Sequence, residues 1–169
     1  MRLEHLLEPM KRIIAFLLTF LACLGLLVGF YLAGQLPPWI EGVRLWLLCA
    51  IAGGVGGCVY CLRGVYLNAC VFKRWDPDWQ PWYYVRPFVS LVCGAVSCLF
   101  LKAGLLVLES SQKEKATELG FLALAFVAGL NVDKFIAKIE DVAQAAWGIE
   151  KSRAGREATA KEQTTKEQK

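Results

Sequence analysis

Histidine is almost missing from this 169-residue chain, with His5 near the N-terminus as its single copy. Cys58 and Cys61 have Cys-x-x-Cys spacing, but no second pair stands at metal spacing and no histidine is near, so no metal site is expected. The pair reads as structural, with redox sensing as the alternative. No Gly-Lys-Ser/Thr follows any glycine, which excludes a phosphate-binding loop. No internal repeat is present, and no acidic residue lies deep in an early apolar segment, which counts against a secondary transporter or a small multidrug exporter. Convergent sets of polar residues are lacking too, so the chain is expected not to be an enzyme and to need no cofactor. The longest absence is of charge: Ile13 to Gly34 carries none.

What fills those gaps is apolar. Hydrophobic residues make up 56% of the chain against 20% charged, and they fall in blocks. Ile13 to Gly34, at the helical rise, covers about 33 Å, which matches a hydrocarbon core of about 30 Å. Lys11 and Arg12 precede it as they would in a signal peptide, but the run is too long for an h-region and reads as a retained helix. Pro37 and Pro38 break it, and a second segment follows over 43–62. A third, 87–108, opens on Pro87, where a missing N–H costs least. The fourth, 119–132, would cover only about 21 Å before Asp133 and Lys134, and can span obliquely, re-enter or run on. Phe135, Ile136, Ile139, Val142, Ala143, Ala146 and Trp147 then recur at helical spacing. The expected architecture is therefore all-α: a multi-pass transmembrane helical bundle of three full spans and a shorter fourth, then an amphipathic helix over 133–148. Residues 1–12 form an N-terminal segment and 149–169 a charged flexible tail.

Basic residues fall mainly at the N-terminus, in Arg63 to Arg86 and in the C-terminal part, which together hold 15 of the 19 Lys and Arg. Arg44, Lys102, Lys113 and Lys115 lie on the other side. The positive-inside rule then places both termini on the cytoplasmic side of the membrane. The cysteines read as small residues facing lipid or other helices.

Several features are candidates for function. Gly25, Gly29 and Ala33 form a small-residue stripe, and Gly53 and Gly57 repeat the spacing, which lets backbones approach closely either within one chain or between copies of a homo-oligomer. The segment from Phe72 to Pro87 carries Trp75, Trp79, Trp82, Tyr83 and Arg86, and reads as a cytoplasmic loop that anchors at the interface or holds an anionic group, a base or a partner. Lys102 lies about four turns into the third segment, where it either snorkels or faces a polar path with Asp133 and Lys134. Besides the lipid bilayer, a cytoplasmic regulatory partner is an expected contact, and direct nucleic-acid binding is not.

Tyr83-Tyr84-Val85-Arg86-Pro87, opening a span, and Ala123-Leu124-Ala125-Phe126-Val127-Ala128-Gly129-Leu130-Asn131-Val132-Asp133-Lys134-Phe135, opening the amphipathic helix, resemble small bacterial membrane proteins of defence loci. These include transmembrane effectors of retron-type anti-phage systems. The resemblance covers the C-terminal half and implies an effector that damages the inner membrane when a partner system senses infection. No catalytic residue comes with it. The alternative is a non-conducting membrane anchor or adaptor for a cytoplasmic complex.

Overall fold

The structure, a computed structural model, describes residues 2–34, 37–73, 75–102 and 114–150. Helices α1 (Arg2–Leu32), α2 (Arg44–Tyr66), α3 (Gln80–Lys102), α4 (Glu114–Leu130) and α5 (Val132–Trp147) follow in order, and no strand occurs among the described residues. Three helical stretches, Glu8–Leu32, Ile40–Val71 and Gln80–Lys102, are long and apolar enough to cross a membrane. The pair Glu118–Leu130 and Val132–Trp147, broken at Asn131, is a fourth if taken as one span. The chain is an all-α, multi-pass membrane bundle, and it divides into two compact units, Met1–Val132 and Asp133–Lys169.

The contact of α2 with α3 and α4 in the first unit is built from small residues, and many large apolar residues lie outside, although Ile13, Leu17, Leu24, Ile51 and Val65 are buried. Gly53, Gly54, Gly56, Gly57, Gly94, Gly129, Ser90, Ser97 and five cysteines are buried, while Leu18, Leu26, Phe30, Phe88 and Val92 are exposed. A protein folding in water buries large apolar side chains. In a bilayer, lipid is as apolar as leucine, and helices associate by close backbone packing and interhelical hydrogen bonds instead.

One face of α2 supplies that packing. It runs antiparallel to α3: Cys49 meets Gly94, Gly53 meets Ser90 and Gly94, and Gly57 meets Pro87 and Ser90. Parallel to it, α4 is joined to the start of α2 by an Arg44–Glu118 ion pair and passes Gly53 at Gly129 and Gly56 at Leu130. Gly53 thus lies between Gly94 and Gly129, where a Cβ would come within 2.7 Å of the Gly94 Cα. Because α4 ends beside Gly56, it accompanies only about half of α2.

The end of α4 has few intrahelical donors for its last carbonyls. Asn131 N–H donates to Val127 O at 3.0 Å, and the buried Ser90 Oγ of α3 donates to Gly129 O at 3.0 Å. Ser90→Ala is expected to lower stability by about 1 kcal/mol in thermal unfolding of the detergent-solubilised protein. A change as small as that of Val92→Ala, on the lipid-facing side, would show that this bond contributes nothing.

Several boundaries differ from those expected. Pro87 does not open the third span, because α3 starts at Gln80 and holds Pro87, fully buried, in its second turn against Gly57. As the eighth residue of α3, Pro87 lies past the four unpaired donors of a helix start and removes the usual bond to the Tyr83 carbonyl. The end of the expected span, 103–108, lies outside the described residues. The second helix is longer than 43–62, since after Tyr66 it continues as a π-helical turn, Leu67–Val71. The first helix extends to Arg2 and contains Pro9. Cys49, Cys58, Cys61, Cys93 and Cys98 face other helices, whereas Cys23 and Cys70 are exposed.

The second unit consists, among described residues, of α5 beyond Val132 and the non-helical 148–150. Asp133, Lys134, Lys138, Asp141 and Gln144 are exposed along it, consistent with the polar face expected of an amphipathic helix.

Candidate functional site

At the end where α2 finishes and α3 begins, the backbone departs from regular helix. Phe72 N–H donates to Leu67 O at 2.8 Å, a bond five residues long that widens the last turn of α2. Such π turns are rare and tend to occur at functional sites. Lys73 then takes a φ of 50°, an unusual conformation for a residue with a Cβ, and redirects the chain. A 3₁₀ turn, Pro77–Trp79, leads into α3.

This detour encloses a cavity of about 690 Å³. Tyr60, Arg63, Gly64 and Asn68 line it from α2 and the π turn, Trp75, Asp76 and Trp79 from the connection, and Trp82 and Tyr83 from α3. The volume lies within the range of about 300–1,000 Å³ typical of small-molecule sites. Trp75 and Tyr83 stack with centroids 5.9 Å apart and an interplanar angle of 12°. Asn68 Nδ2 donates to Tyr83 Oη at 3.1 Å, fixing the ring across the gap between α2 and α3. Gly64 packs against that ring, and a Cβ there would meet it at an ordinary contact distance of 3.4 Å.

Behind two of the wall residues sits Arg86, only 2% exposed. Its guanidinium carbon is 3.8 Å from the centroid of the Tyr60 ring and 5.2 Å from that of Trp82. A desolvated guanidinium against aromatic faces is held by the ring quadrupoles and, being planar, can stack on them. On the other side of the wall, Ile13 and Leu17 of α1 pack with Cys58, Cys61, Val65 and Tyr83. Phe16 reaches Tyr84 at 5.1 Å and Phe20 reaches Phe88 at 5.2 Å, so α1 braces the start of α3.

The residues expected to form an interfacial or partner loop are thus brought together, though not as a loop. Trp82, Tyr83 and Arg86 belong to the first two turns of α3, and only residues up to Trp79 precede it. Arg74 lies outside the described residues. Tyr60, Gly64 and Asn68 were not singled out by the sequence, yet their four-residue spacing marks one face of α2.

The expected polar path fares differently. Lys102 is the last described residue of α3, about six turns from its start at Gln80, and the segment beyond it, 103–113, lies outside the described residues. It is exposed, with Nζ 5.6 Å from the centroid of the Trp46 ring. Asp133 and Lys134 are exposed in the first turn of α5, in the second unit. Of the expected packing residues, Gly53 and Gly57 are buried between helices, while Gly25 and Gly29 have, among the described residues, nothing within 4 Å of where a Cβ would stand, and Ala33 is exposed. Among the described residues no group of three His, Cys, Asp or Glu is placed to hold a metal ion. No protein-family model, curated protein or solved structure matches the chain.

Proposed function

We propose that the chain is a small, non-enzymatic protein of the bacterial inner membrane, with both termini cytoplasmic, that self-associates and perturbs membrane integrity or potential as an effector of anti-phage defence. The observation that supports it is the contrast between its two glycine faces. The seam on α2 is filled by α3 and α4 of the same chain, whereas a Cβ at Gly25 or Gly29 on α1 would meet no other part of the described residues within 4 Å. Any permeation path then forms between copies, with α1 at the contact, instead of through one tightly packed bundle. The clustering of Lys11, Arg12, Arg63 and Lys73 toward the end that carries the aromatic cavity supports a cytoplasmic placement of that end.

Membrane potential and viability after induced expression test this reading. The wild type is expected to depolarise cells before they die, and Gly25→Leu with Gly29→Leu is expected to abolish the effect at unchanged protein level. Lys102→Ala and Asp133→Ala report whether polar residues near the ends contribute to conduction. An unchanged potential, also during phage infection with the neighbouring genes present, would sink the effector reading. The second reading, a non-conducting membrane anchor or adaptor, would then stand; the amphipathic α5, a unit of its own, favours it as a surface for a cytoplasmic regulatory partner.

A further inference from the structure

Several hydrogen-bond donors belong to residues that line the aromatic cavity. Trp75 Nε1–H is buried and has no acceptor among the described residues. Buried polar groups are nearly always satisfied, so this indole N–H, on a residue that lines the cavity, would gain an acceptor from a ligand there once a small shift of the ring uncovers it. Tyr83 Oη accepts from Asn68, which leaves its own hydrogen to donate. Arg63, exposed at the rim, adds a guanidinium. Against these, the acidic side chain on the lining is Asp76, whose Oδ1 already accepts from the Asp78 backbone N–H at 3.0 Å. Arg86 places a second positive charge just behind Tyr60 and Trp82.

A ligand suited to this wall carries several acceptor oxygens and negative charge at one end and an apolar or planar body at the other. We propose that the cavity binds a phosphate ester, with phosphate oxygens accepting from Trp75 Nε1, Tyr83 Oη and Arg63 and the body of the ligand lying against Trp79 and Trp82. Guanidinium groups match phosphate through paired N–H donors, and aromatic faces hold acyl, glycerol or base moieties alike. Two sources share this chemistry: the headgroup of an anionic phospholipid and a water-soluble phosphate ester. Tyr66, Phe72 and Trp79, each 60% exposed at this end of the bundle, sit where side chains meet the lipid interface and favour the first. This inference goes beyond the effector reading and holds whether or not the chain depolarises membranes.

The full chain, purified in an uncharged detergent, would be titrated while tryptophan emission and the thermal midpoint are followed. The four probes are phosphatidylglycerol, diacylglycerol with the same acyl chains, adenosine 5′-monophosphate and adenosine. A saturable response to phosphatidylglycerol or to the nucleotide, absent with its phosphate-free counterpart, is expected, and the probe that responds identifies the source. Trp75→Phe keeps the ring and removes the donor, and Arg63→Gln changes an exposed rim residue with little risk to folding. Each is expected to raise the apparent Kd about tenfold, the effect of one hydrogen bond to a charged group. Equal responses to phosphatidylglycerol and diacylglycerol with none to the nucleotide, no response to either phosphate compound, or unchanged Kd in both variants would overturn the proposal.

Discussion

Gly129→Ala is expected to lower the stability of the bundle by about 3 kcal/mol or more, the upper end of what overpacking a filled interior usually costs. A methyl group at Gly129 would stand 2.6 Å from the Cα of Gly53 and still closer to its carbonyl oxygen. Backbone atoms obstruct it, not a side chain that could change rotamer, so relief requires α4 to move away from α2. That movement would also stretch the bond from Ser90 Oγ to Gly129 O and disturb the third helix of the contact. Since whole domains are stable by only about 5–15 kcal/mol, a large share of the folded population is at stake. Gly29→Ala is the matched control: the same change in an open position of α1 is expected to be neutral or to raise stability by about 0.5–1 kcal/mol through helix propensity. Thermal unfolding of both variants in detergent decides the matter. Equal midpoints for the two would mean that the α2–α4 approach is looser than the geometry requires.

The contrast between these two glycines also shows where the sequence was readable. Both lie in apolar runs, and both have partners at four-residue spacing or nearby. Spacing identifies a face that permits close approach but does not say whether a neighbour takes it, because that depends on segments distant in sequence. The spans themselves were legible, since long uncharged stretches have few other uses. The alternation of apolar and polar residues in α5 was legible for a similar reason. Less so was the start of α3. A proline flanked by apolar residues suggests a helix opening, yet the helix begins at Gln80 and carries Pro87 inside, with Tyr83 bonded to Asn68 and Arg86 against Tyr60. The earlier start converted much of an expected loop into cavity wall. The halfway stop of α4 could be anticipated only as one of three options, because its short length fits all of them. The π turn has no distinct sequence signature, and Asn68 could not be matched to Tyr83 before the turn between them was known.

Arg86→Ala is expected to have an effect of similar size, about 3 kcal/mol or more, for a different reason. The side chain is almost entirely inaccessible and lies against two rings, so its removal forfeits both the packing of a long buried chain and the attraction between a desolvated cation and aromatic faces, about 2 kcal/mol by itself. Arg86→Met separates the two contributions. It retains most of the volume and loses the charge, so its deficit should be about 2 kcal/mol and should shrink in a Tyr60→Leu background. A coupling of about 0.5 kcal/mol or more in that double-mutant cycle would assign the loss to the stack. Arg86→Lys should resemble Met more than wild type despite keeping the charge, because an ammonium cannot lie flat between Tyr60 and Trp82. Tryptophan emission offers an independent readout, since loosening Trp82 admits solvent to the cavity wall and shifts the spectrum to the red. Wild-type stability and emission in Arg86→Lys would mean that charge alone, without the planar contact, holds the wall together. The cavity would then be a consequence of electrostatics at the bilayer surface and not of the stack on which its shape depends.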